Sequence, residues 1–247
     1  MGLLDIPAPL FDLLAPVLSF LPAPVQLMFW GAVCGAFSMW LYQVMSGQDK
    51  IGAIKAETIA ARKALAGYEG HEFDEMMPLA LNVLKLSGKH FMTVIGPAVL
   101  SSLPALTLIV WVSNNFGYIT PEPGTAVTVS VTPETELALP QNASGESQVN
   151  WPDAEEPVAV ASTDGQSLFT VTGARSPLIH KKIWWNSLIA NPAGYLDDDS
   201  PLELVTVDLQ AHEYLPFGPD WLREWAGLFF ITLLVVSIGI KVIFKIH

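Results

Sequence analysis

The sequence predicts an α-helical polytopic membrane protein, with three transmembrane helices, a cytoplasmic helical hairpin and an inserted extracytoplasmic β-sandwich-like domain. Three observations lead there. Stretches 27–45, 91–112 and 225–240 contain no Asp, Glu, Lys or Arg, and a hydrocarbon core of ~30 Å needs about 20 apolar residues per helix. The charges between them are sorted by sign: residues 46–90 carry six basic and six acidic residues, whereas residues 114–220 carry three basic and fifteen acidic ones. The acidic segment also contains short runs of alternating apolar and polar residues, the period of half-buried strands.

The N-terminal segment 1–26, MGLLDIPAPLFDLLAPVLSFLPAPVQ, is apolar but is cut by five prolines into pieces too short to span. It lacks the basic start and small-residue cleavage site of a signal peptide. The expected use is an amphipathic segment lying in the outer membrane interface, around residues 10–20.

Transmembrane helix 1 is expected over 27–46, running inward, because it delivers Lys50, Lys55, Arg62 and Lys63 to the cytoplasmic side. Cys34 is the only cysteine, so no intramolecular disulfide stabilises the exported domain.

The cytoplasmic hairpin is expected over 47–88. Ile51, Ile54, Thr58, Ala61 and Leu65 recur at helical spacing, and the stretch from Ala66 to Gly70 interrupts the helix. A second stripe of Phe73, Met77, Ala80, Leu84 and Ser87 follows, also with coiled-coil-like spacing. Met76 and Met77 give this arm a soft apolar surface suited to binding varied hydrophobic segments, although methionine more often simply packs.

Transmembrane helix 2 (89–113) starts beside Lys85 and Lys89, and Pro97 and Pro104 lie within it. Thr93 and Ser101 are placed to compensate the carbonyls those prolines release. Transmembrane helix 3 (221–244) begins at Trp221 and Trp225, suited to an interface, and ends in Lys241 and Lys245. Arg223 alone departs from the positive-inside pattern; its long side chain reaches water from the outer interface.

The acidic domain is expected over 119–215. Strands are read at 125–131, 158–162, 167–172 and 203–209, with Thr163-Asp164-Gly165-Gln166 as a hairpin turn and 140–157 as a mobile loop. Ser176-Pro177 reads as the start of a helix over 178–190. That stretch holds Lys181, Lys182, Trp184 and Trp185, candidates for contact with the membrane surface or a partner protein. Asp197-Asp198-Asp199 lacks the alternate spacing of a calcium loop.

The five histidines (71, 90, 180, 212 and 247) are scattered, and no phosphate loop or nucleophile arrangement is present in the sequence. No cofactor, metal or bond-making enzyme chemistry is expected. The net charge of −12 opposes nucleic-acid binding.

Taken in order, the block WGAVCGAFSMWLYQVMSGQDKIGAIKAE…ARKAL (30–65) leading into FDEMMPLALNVLKLSGKHFMTVIGPAVLSSLPALTLIVWV (73–112), and the block YLPFGPDWLREWAGLFFITLLVVSIGIKVIFK (214–245), resemble the YidC/Oxa/Get insertase superfamily. The resemblance is to its small three-helix branch, the archaeal YidC-like proteins and the insertase-core subunit of the ER membrane protein complex. It rests on order, lengths and texture over about half the chain.

The resemblance implies an insertase or chaperone that takes hydrophobic segments of nascent membrane proteins into the bilayer through a polar, cytoplasm-open groove. The groove candidates it suggests are Ser38, Gln43, Lys89, His90, Thr93, Ser101, Ser102, Thr232 and Ser237, with Met76 and Met77 contacting substrate. Several insertases carry an arginine deep in the groove; here no charge lies near the middle of any span. A bacterial or archaeal cytoplasmic membrane is expected, with the N-terminus and β domain (periplasmic, in a bacterium) outside and the C-terminus inside. The large acidic insert suits a second role, a structural or assembly subunit docking on other membrane-complex subunits through its β domain.

Overall fold

The computed structural model describes residues 2–70, 72–153 and 156–246; His71 and His247 lie outside the described residues. Among the described residues, three helices are long and apolar enough to cross a membrane: α2 (Ala23–Met45), α4 (Phe73–Phe116) and α6 (Trp225–Ile243). A separate β-sheet region is inserted between α4 and α6. The chain divides into two compact units. One comprises Met1–Met28 and Thr107–Phe229, and the other comprises Phe29–Leu106 and Phe230–His247.

The second unit holds the lengths of the three apolar helices on the hairpin side, together with α3 (Gln48–Ala66). Ile51, Ile54 and Thr58 are its buried positions on α3, and Ala61 and Leu65 continue the same face half-buried. Arg62 donates to Ser87 Oγ at 3.3 Å, joining α3 to the first part of α4. The Tyr68 hydroxyl sits 2.9 Å from Glu75 Oε2 and ties the turn to the start of α4.

The second arm differs from the expected stripe. Phe73, Met77 and Leu84 are exposed, and the covered face of α4 runs through Ala80, Val83, Ser87 and His90. This arm is apolar on more than one face, so periodicity alone does not say which face its neighbour covers. α4 continues without a break past Pro78, Pro97 and Pro104 for 44 residues, about 66 Å at ~1.5 Å per residue. That is roughly twice what the hydrocarbon core requires.

In the first unit, α1 (Ala8–Leu14) lies between two short 3₁₀ turns, Leu3–Asp5 and Ala15–Leu18. The domain itself has a five-stranded sheet in the order β2-β1-β7-β5-β6, built from β1 (Ala126–Thr132), β2 (Gln148–Asn150), β5 (Leu178–Lys181), β6 (Tyr195–Leu196) and β7 (Leu204–Val207). Alternating valines set the register, with Val129 opposite Val207 and Val131 opposite Val205. β3 (Val158–Ala161) and β4 (Ser167–Val171) form a separate hairpin. Its turn closes at Gly165, whose φ of +82° suits a residue without Cβ. Both sheets contribute to one core, in which Val160, Phe169, Val171, Ile179, Leu202 and Val205 are buried. A short helix, α5 (Asp220–Arg223), leads into α6, and Arg223 pairs with Glu213 and Asp220.

Two expectations for this domain are corrected. The 140–157 segment is not an uninterrupted loop, because β2 within it pairs with β1 and buries Val149. The expected helix over 178–190 is instead a strand followed by the 3₁₀ turn Trp184–Ser187. Pairing on both edges, antiparallel to β7 and parallel to β6, satisfies the 178–181 backbone and lets Ile179 enter the core. Those partners lie beyond the segment in sequence, where no local cap signal registers them.

Candidate functional site

Within the second unit, one face from each of four helices borders a cavity of about 580 Å³. α2 supplies Ser38, Met39 and Tyr42, with Ser38 and Tyr42 four residues apart on one face. α4 supplies His90, Val94, Ala98, Ser101, Ser102 and Ala105. This lining extends along α4 for roughly 22 Å at the helical rise. α6 supplies Leu233 and Lys241, α3 supplies Lys55, and Ile246 adds an apolar contact. Lys55 and Lys241 make the hairpin-side end basic, and no carboxylate is among the described residues that line it.

α2 and α6 come close together beside the cavity, at Leu233, which also lines it. A Cβ added at Gly35 would stand 2.8 Å from the Leu233 carbonyl oxygen and 3.0 Å from Ser237 Oγ. Glycine therefore lets the two backbones nearly touch there, as small residues do in membrane helix pairs. One turn further along α2, Ser38 Oγ is enclosed with the Cys34 thiol as its near neighbour.

The hydroxyls on α4 turn back on their own helix. Ser101 Oγ donates to the Ala98 carbonyl at 3.0 Å, and Ser102 Oγ donates to Val99 at 2.7 Å. Each hydroxyl proton is thus engaged, and the oxygen lone pairs are left as acceptors. The expected compensation of the carbonyls released by Pro97 and Pro104 is not made by these groups, since Thr93 Oγ1 donates to Lys89 O. The i−4 and i−3 carbonyls are nearer to a serine or threonine hydroxyl than those two.

Of the sequence candidates, Ser38, His90, Ser101 and Ser102 line this cavity together. Gln43 lies in a different cavity of about 380 Å³ with Gln48, Asp49, Phe244 and Lys245. Lys89, Thr93, Thr232 and Ser237 are outside the lining, with Lys89 exposed and Ser237 packed at the Gly35 contact. Met76 and Met77 are exposed on the first turns of α4. Sequence reasoning missed Tyr42, Lys55 and Lys241 as lining residues. Their signal was helical spacing, with Tyr42 four residues from Ser38 and Lys241 eight from Leu233.

The first unit has its own cleft of about 540 Å³, bordered by Gln26, Trp111, Asn115, Tyr118, Arg175 and Tyr214 among others. Arg175 Nη1 donates to the Asn115 carbonyl at 2.6 Å. The Tyr214 hydroxyl donates to the Phe116 carbonyl at 2.9 Å, and its ring stacks on His212. Burial pushes the Tyr214 phenol up to about 12 despite the opposing Arg175 charge. Burial also raises Tyr118, with Glu224 adding to it.

The surface candidates of the β domain have separate settings. Lys181 Nζ donates to the Asp198 carbonyl at 3.0 Å, and Trp185 packs against His180 with ring centroids 5.5 Å apart. Trp184 is 81% exposed. No family model, curated protein or solved structure matches the chain.

Proposed function

We propose that this chain is a YidC-like membrane protein insertase or chaperone, and that the cavity bordered by α2, α3, α4 and α6 is its groove. The observation that carries the reading is a cavity set among three apolar helices, whose mainly apolar lining includes Ser38, Tyr42, Ser101 and Ser102 and has Lys55 and Lys241 among its residues. Moving a short polar flank through hydrocarbon costs several kcal/mol for each unsatisfied backbone group, and about 2.5–3.5 kcal/mol or more for a charged side chain at the centre. The oxygens of Ser101 and Ser102 offer acceptors along that path. Lys55 and Lys241 supply from the hairpin and from the end of α6 the positive charge that no mid-span residue provides.

In this reading the hairpin and C-terminus face the cytoplasm of a bacterial or archaeal cell. The exposed Phe73, Met76, Met77 and Leu84 face of α4 receives hydrophobic segments before they enter the groove. The acidic domain lies outside, and its two sheets around one core form a small sandwich.

Purified full-length protein in liposomes, supplied with a single-span substrate bearing a short polar tail, tests the proposal. Insertion is expected above protein-free liposomes, and Ala98→Phe, which fills the groove, should lower it several-fold. No insertion, together with co-purification in fixed stoichiometry with one membrane complex, would support the assembly-subunit role instead.

A further inference from the structure

Residues 2–20 and the Trp184 turn of the β domain are joined, and both carry exposed large apolar side chains. The joint is built from backbone and one carboxylate. Leu4 N donates to the Leu188 carbonyl at 2.8 Å. Asp5 Oδ2 accepts from Gly2 N and from Ala190 N, both at 2.8 Å. A Cβ on Gly2 would stand 2.5 Å from the Leu188 oxygen, so the segments touch at a residue that only glycine fits. The other acid of the segment, exposed Asp12, accepts from Trp111 Nε1 through Oδ1 at 2.7 Å.

Neither acid falls in the exposed apolar stripe. That stripe consists of Leu3, Ile6, Leu10, Leu13, Val17 and Phe20, all exposed, at spacings of 3, 4, 3, 4 and 3. The opposite face is apolar as well and is occupied: Phe11 packs on Trp111 with ring centroids 5.7 Å apart. A helical segment apolar on both faces needs an apolar medium on the side its own protein leaves uncovered.

The Trp184 turn is pre-formed around Asn186, which is 2% exposed. Asn186 Oδ1 accepts from Ile183 N at 2.8 Å, and its Nδ2 donates to the Ile189 carbonyl at 3.3 Å. That fixes Ile183, Trp184 and Leu188 outward, all exposed.

We infer that this composite surface is a lipid-binding platform, inserted into the acyl boundary of the leaflet on the β-domain side, and that Asp5 couples the β domain to it. Lipid is the occupant because α2 begins at Ala23, directly after the stripe, and the same compact unit contains the β-domain-side ends of all three apolar helices. Residues 1–26 contain no Lys or Arg, so this segment attaches to acyl chains and interface, while exposed Lys182 beside Ile183 gives the Trp184 turn a basic flank. The inference does not depend on the insertase proposal.

Full-length C34A protein in nanodiscs, carrying single spin labels at L13C, V17C, W184C or D164C, provides the test. The labels at 13, 17 and 184 should be relaxed several-fold more by oxygen than by a water-soluble nickel chelate, and the label at 164 the reverse. The result at 13 and 17 should be unchanged by high salt or by adding anionic lipid to phosphatidylcholine. Asp5→Ala should move the 184 label toward water and leave the 17 label in place. Nickel accessibility at 13 and 184 in the parent protein would overturn the platform, and an unmoved 184 label in Asp5→Ala would overturn the coupling. Bromine on lipid acyl chains should quench a fluorescence component that Trp184→Phe removes; loss of an unquenched component instead would also overturn it.

Discussion

The backbone of α2 at Gly35 meets the Leu233 carbonyl of α6 so closely that a Cβ would stand 2.8 Å from the oxygen. The contact holds α2 against α6 one turn before Ser38, and both Ser38 and Leu233 line the cavity. Gly35→Val should therefore force the pair apart. We expect a cost of about 1–3 kcal/mol, the usual range for overpacking a tight contact, read as a lower melting temperature of the full chain in detergent. A melting temperature equal to that of the parent would show that α2 and α6 do not meet there.

The α3 stripe gives a second prediction. Ile54 is 3% exposed, and truncating a buried isoleucine costs about 2–5 kcal/mol. Ile54→Ala should accelerate amide exchange through α3, whereas Ile59→Ala, on the exposed side, should leave it unchanged.

Tyr214 sets an alkaline limit. Its phenol is raised from 10.0 to about 12 in the folded chain, so folding favours the neutral form. That contribution is complete below pH ~10, the unfolded value, and is lost as pH rises through the folded value. Tyr214→Phe also removes the bond to the Phe116 carbonyl, worth about 0.5–1.5 kcal/mol. The variant should melt lower at neutral pH, and its stability should fall less steeply between pH 10 and 12. Parallel stability curves over that interval would contradict the assignment.

The β domain should respond most to its shared core. Leu202 has no exposed surface, and Leu202→Ala should cost about 2–5 kcal/mol. Limited proteolysis of the full-chain variant should then cut first within the domain.

The spans and the α3 face were legible because long charge-free runs and one-sided helical stripes leave few alternatives. The second arm was not, since Leu84 continues a plausible stripe as well as Val83 does, and only the neighbour decides which is covered. The 178–181 strand was hidden because its partners at Tyr195 and Leu204 lie further along the chain, while Ser176-Pro177 is a valid local helix start. At the site, the serines on α4 stood out as polar residues in an apolar run. Lys55 and Lys241 looked like topology signals near separate span ends, and only folding brings both to one cavity.

The groove proposal is tested most directly by a photocrosslinking amino acid placed at Ser101 of the full-length protein in native membranes. The crosslinker is activated while a short-tailed single-span protein is being made. We predict an adduct between position 101 and the substrate, absent from a control position on the exposed face of α4 such as Leu106. A crosslink to lipid alone, or to one constant partner whatever substrate is synthesised, would contradict the insertase reading.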